Sequence, residues 1–142
     1  MSNTVYDTTV VAYANGALVG RSPGNALDRR LRAIEDFVNG ERVAWYNERL
    51  LAEYIAALVD YRNDVIELFV TRLSDYGRKA NRSTLSRQNH SRAQDLRWPD
   101  HDQHLLAAAI EAPRPTILVT EDNLHRCSSE VKRVFRVRVQ QV

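Results

Sequence analysis

The chain predicts an α/β protein, a three-layer α/β/α sandwich on a mostly parallel central sheet. Short runs rich in apolar and β-branched residues, "TVYDTTVV", "RVAWY", "PTILVT" and "VFRVRVQQV", alternate with segments whose apolar residues recur at helical spacing. The connections between them are short, as strand–helix–strand units require. Length and composition agree: 142 residues, 44% hydrophobic and 27% charged, fit one soluble domain over 1–142 with a core of its own.

Taken in order, Val5, Val10, Val11 and the threonines around Asp7 favour a strand that leads into a turn or helix start. "RSPGNA" reads as a loop. Leu27, Leu31, Ile34, Phe37 and Val38 mark a helix that "NG" at 39–40 stops. "RVAWY" is a short strand, and Asn47 caps a helix with Leu50, Leu51, Tyr54, Ile55 and Leu58 on its apolar face. Asn63 opens another, with Val65, Ile66, Phe69, Val70 and Leu73. Residues 74–98 are polar and weakly periodic, which predicts a helix tail and then a basic, irregular, mobile segment. "WPD" breaks the chain before a helix that buries Leu105, Leu106, Ala109 and Ile110. "APRP" turns it into the strand "TILVT", and the tail alternates as a half-exposed strand does.

A single cysteine, Cys127, rules out an internal disulfide and favours a reducing, cytoplasmic setting. The sequence shows no zinc-type cysteine–histidine spacing, secretory signal or membrane-spanning apolar stretch. Net charge is only +2, yet residues 72–97 carry +5, residues 126–142 carry +4 and the remainder −7. An acidic body with two basic stretches suits a protein that binds a polyanion and holds cations at its centre.

In parallel α/β folds, sites form at the carboxyl ends of the strands. Asp7 and Asp122 each follow apolar strand residues and so belong at that edge. Asp102 lies three residues before Leu105 and seven before Ala109, which turns it into the buried arc of its helix. An ionised acid there is costly unless a cation meets it. Asp100, with Gln103, is explained by helix capping. Glu53, Glu48 and Asp60 compete as a fourth acid. Converging carboxylates suit Mg²⁺ or Mn²⁺, which activate water and neutralise a phosphodiester in transition.

The pieces "VYDTTVVAYA", "NERLLAEYIAAL", "PDHDQHLLAAAIEA" and "ILVTEDN" resemble, in order and spacing, the PIN-domain family of nucleases. They are most similar to the branch formed by toxins of bacterial toxin–antitoxin systems. The resemblance implies a Mg²⁺/Mn²⁺-dependent ribonuclease acting on single-stranded or structured RNA, commonly dimeric and held by a cognate antitoxin. It assigns Asp7, Glu53, Asp102 and Asp122 to the metal site and separates Glu53 from Glu48. Thr120 matches a small hydroxyl residue beside the metal. Thr9 stands where relatives usually carry an asparagine that supports the first aspartate, Trp98 where an aspartate is frequent, and Leu124 where many have another acid. Arg78, Lys79, Arg82, Arg87, Arg92 and Arg97 would track RNA phosphates. His101 and His104 flank the site without an assigned role. The expected function is a metal-dependent endoribonuclease, the toxin of a pair. The alternative is a catalytically weakened module that binds RNA or protein.

Overall fold

A computed structural model describes residues 2–16, 25–120 and 127–142. The elements run β1 (Ser2–Tyr6), α1 (Thr8–Gly16), α2 (Asn25–Val38), β2 (Arg42–Tyr46), α3 (Glu48–Ala57), α4 (Asp64–Tyr76), β3 (Arg78–Lys79), α5 (Arg87–Asp95), α6 (Gln103–Glu111), β4 (Thr116–Thr120), α7 (Ser128–Phe135) and β5 (Val137–Gln141). The five strands form one sheet in the order β3-β2-β1-β4-β5, and every pairing is parallel. The chain winds outward from β1 in both directions. Right-handed crossovers therefore put α1–α4 on one face and α5–α7 on the other, completing the α/β/α sandwich.

Local chemistry explains most boundaries. The Asn47 and Asn63 side chains accept from the N–H groups of Leu50 (3.0 Å) and Ile66 (2.9 Å), capping α3 and α4. Gly40, at φ +80°, makes the left-handed turn that ends α2. On the α1–α4 face, Phe69 receives the rings of Tyr6, Phe37 and Tyr54 edge-on at 5.7–5.8 Å between centroids. Each such pair contributes about 1 kcal/mol beyond its burial. This cluster fixes the site: the Tyr54 hydroxyl donates to the carbonyl of Tyr6, pinning α3 to the last residue of β1.

Two expectations are corrected. The segment 74–98 is not irregular throughout, because it contains β3 and α5. Ser86 caps α5 by accepting from Asn89 N–H (3.2 Å), and buried Ala93 and Trp98 anchor the segment to the core. Its weak periodicity reflects how few apolar anchors a short, one-sided element needs. The second correction concerns α6, which is buried from His104 through Ala109 rather than along one arc. Alanines let both its sheet side and its outer side be covered closely. The expected loop at "RSPGNA" falls largely on residues 21–24, outside the described ones. No helix among the described residues is long and apolar enough to cross a membrane.

Candidate active site at the carboxyl edge

The strand order reverses between β1 and β4, the place where parallel α/β sheets form their sites, beyond the carboxyl ends of the strands. Asp7 stands there, one residue past β1. Its N–H extends the sheet ladder to the Val119 carbonyl (2.9 Å), and its own carbonyl accepts from Val10 N–H (3.1 Å) at the start of α1. Its carboxylate is held from β4, where the buried Thr120 hydroxyl donates to Oδ2 at 2.8 Å. Asp7 is only 5% exposed.

Asp102 reaches the same edge from the other face. Because α6 connects by a short turn to the amino end of β4, it runs against the strands and its first turn lies at their carboxyl ends. Asp102 closes a 3₁₀ turn, Asp100–Asp102, and is 6% exposed. Trp98 Nε1 donates to its carbonyl (2.9 Å), and its Oδ2 lies 3.4 Å from His101 Nε2. Trp98 is thus buried in the frame of this turn.

Glu53, on the second turn of α3, is held from two sides. Thr8 Oγ1 donates to Oε2 at 3.4 Å, and His104 Nε2 is in contact with Oε1. Burial raises the Glu53 pKa, against the opposing effects of Arg49, the Thr8 hydrogen bond and His101. Burial likewise pushes His104 down to about 4. The Tyr54 phenol is raised well above its usual value, first by burial and then by the charges of Asp7, Tyr6 and Glu53. Asp7 and Glu53 therefore lie within electrostatic reach of one hydroxyl, and Glu53 and Asp102 share the neighbour His101. Asp122, two residues beyond β4, lies outside the described residues, as does Leu124.

Thr9 does not take the supporting position that its motif implies. Its buried hydroxyl has no hydrogen-bond partner among the described residues, and the neighbouring Thr8 makes the contact with an acid. The spacing arguments also left His104 without a role, and Arg49 without notice. Arg49 is exposed, and its charge acts on both Glu53 and His104. The position of Arg49, four residues before Glu53 on one helix, was a usable signal.

Asn47 ties this edge together. Its Nδ2 donates to the carbonyls of His104 (2.9 Å) and Arg82 (3.1 Å), joining α3, α6 and the basic segment. Arg78, Lys79, Arg82, Arg87, Arg92 and Arg97 are all exposed. Lys79 pairs with Glu48 at 3.2 Å. That pair accounts for Glu48 as a surface group, whereas Glu53 turns towards the acids.

Among the described residues, no three His, Cys, Asp or Glu side chains are grouped closely enough to hold a metal ion. The donor chemistry nevertheless fits a hard divalent cation: two almost fully buried carboxylates and a hydroxyl, all oxygen. No family model matches the chain, and no curated protein or solved structure matches it significantly.

Proposed function

We propose that the chain is a metal-dependent endoribonuclease of the PIN-domain type. The observation that carries this reading is the Asp7–Thr120 hydrogen bond at the point where the strand order reverses, with Asp102 and Glu53 reaching the same edge from opposite faces. β1 passes into α1 through "YDTTV", with no glycine to let a backbone loop cradle a dinucleotide's pyrophosphate. The edge offers acids instead.

Asp7 and Asp102, with Asp122, would hold Mg²⁺ or Mn²⁺, and Glu53 would share that ion or orient the attacking water. When bound, the ion supplies charge neutralisation at the phosphodiester and activation of water. Thr120 fixes the Asp7 rotamer, while His104 and Thr8 fix Glu53. Exposed Arg49 would meet a phosphate oxygen, and the basic segment from Arg78 to Arg97 would carry the flanking strand. Water attack breaks the P–O3′ bond and leaves a 5′-phosphate. The motif order further supports a toxin held by an antitoxin and acting as a homodimer in the cytoplasm.

Asp7→Asn is the direct test. It keeps the size of the side chain and an acceptor for Thr120, so the variant should fold and retain its circular dichroism. Mn²⁺-dependent cleavage of single-stranded RNA should be abolished, and undiminished cleavage by the pure variant would refute the assignment. One observation favours the second reading, a binding module that has lost turnover: both Glu53 carboxylate oxygens are already engaged, by His104 and Thr8. Calorimetric titration with Mn²⁺ beside a cleavage assay separates the two. RNA binding without metal uptake or cleavage would select the module.

A further inference from the structure

Three cations of the second basic stretch, Lys132, Arg136 and Arg138, stand apart from the carboxyl edge. They gather at the opposite edge of the sheet, about 16 Å away along five-residue strands. There a cavity of 360 Å³ opens around the amino ends of β4 and β5. Ser2, Pro115 and Ile117 line it together with Lys132, Arg136 and Arg138, and no acidic side chain does. Among the described residues, none of these three cations takes part in an ion pair, whereas nearby Arg133 is neutralised by Glu130 at 2.5 Å.

Two features make this more than a charged surface. The α7 dipole accounts for cations at the end of that helix, but not for Arg138, which stands on β5 and reaches the same cavity. Arg136 occupies a left-handed position, φ 57°, where glycine or asparagine would end the helix at less cost. The chain accepts that strain and sets a guanidinium at the rim. Burial, and after it the charge of Arg136, lowers the pKa of neighbouring Arg114. Arg114 cannot itself serve a ligand, because its guanidinium is committed to four backbone carbonyls and the Thr116 hydroxyl.

We propose that this amino-edge cavity is a phosphate-binding site in which Lys132, Arg136 and Arg138 anchor the backbone of RNA outside the catalytic edge. The assignment of RNA rests on the function proposed above; the anion chemistry does not. An RNA held at both edges would wrap the sheet's β4–β5 end, so affinity would depend on a surface remote from cleavage.

The test uses the full chain in chelator, with a fluorescently labelled single-stranded RNA followed by anisotropy from about 50 to about 200 mM salt. The triple variant Lys132→Gln, Arg136→Asn, Arg138→Gln should bind at least tenfold more weakly. Its log–log salt slope should fall by about 2, the value for three released phosphate contacts on a single strand. Asparagine suits the left-handed position, so the melting temperature should hold. Arg133→Gln, which removes one charge already paired, should leave affinity and slope unchanged. Inorganic phosphate should shift the amide resonances of residues 132–138 in the wild type and not in the triple variant.

Unchanged RNA affinity in the triple variant overturns the proposal, even if inorganic phosphate shifts those amides, since the site would then serve free phosphate. An effect of Arg133→Gln as large as one third of the triple variant's, in log affinity, overturns it as unspecific charge. Preferential binding of polyglutamate over RNA overturns it in favour of an acidic protein partner. Cleavage with Mn²⁺ tests the nuclease reading separately, so the failure of one is distinct from the failure of the other.

Discussion

His104 shows how a residue with no assigned role becomes part of a site. It is 3% exposed, and its Nε2 meets the Glu53 carboxylate. A neutral imidazole donating from Nε2 satisfies that contact, and burial favours the neutral form. The sign of its effect on stability follows. The folded-state value of about 4 lies below the ordinary 6.5, so between those values the unfolded chain takes up a proton that the folded chain refuses. Stability should therefore fall as pH drops from 6.5 towards 4. Glu53 opposes this, because its raised pKa makes the folded chain take its proton first on the way down. The net loss should be about 1–2 kcal/mol, less than the roughly 3.4 kcal/mol that His104 alone would give over that interval at about 1.4 kcal/mol per pH unit. His104→Gln keeps a donor for Glu53 and removes the titration. Urea unfolding at pH 7 and pH 4.5 should show a larger drop for wild type than for this variant; parallel drops would show that His104 does not titrate with folding.

At the scale of elements, the most legible features were those set by neighbours in sequence. Asn47 and Asn63 announced α3 and α4 because a cap needs only a side-chain oxygen three residues before the N–H it accepts from. β3 and α5 were not legible, since a two-residue strand has no period and α5 buries a single alanine. The two caps also make a prediction that separates structure from site. Asn47 binds the carbonyls of His104 and Arg82 besides capping its helix, while Asn63, among the described residues, binds only the Ala14 carbonyl besides its cap. Each →Ala change should cost about 2–3 kcal/mol, one cap plus one or more buried hydrogen bonds. Only Asn47→Ala loosens the start of α6, where Asp102 sits. Under conditions where both variants remain folded, Mn²⁺-dependent cleavage should fall at least tenfold for Asn47→Ala and little for Asn63→Ala. Equal losses would mean that the α3–α6 tie does nothing for the edge beyond stability.

For the whole molecule, the carboxyl-edge rule could be applied to the sequence, but the strand order could not. Nothing in "TVY" or "TILV" says that β1 and β4 are neighbours, 113 residues separating the partners in the Thr120–Asp7 hydrogen bond. That adjacency sets the Asp7 carboxylate against Thr120 at the end of β4, and it arises from long-range packing of both helical layers. It also concentrates negative charge where the sheet needs none. Burying Asp7 and Asp102 costs stability that a bound cation would restore, so the proposed function sets opposite expectations with and without metal. In chelator, Asp7→Asn should raise stability by about 1 kcal/mol, since asparagine keeps the Thr120 contact and sheds a buried charge. With Mn²⁺ at a hundredfold excess over its dissociation constant, wild type should gain about 2.7 kcal/mol, roughly 8 °C in melting temperature, and the variant almost nothing. Calorimetric scans of both proteins in chelator and in Mn²⁺ would show the crossing. Wild type more stable than Asp7→Asn in chelator, with no shift on adding Mn²⁺, would mean that the acid serves the fold and that no ion is held at this edge.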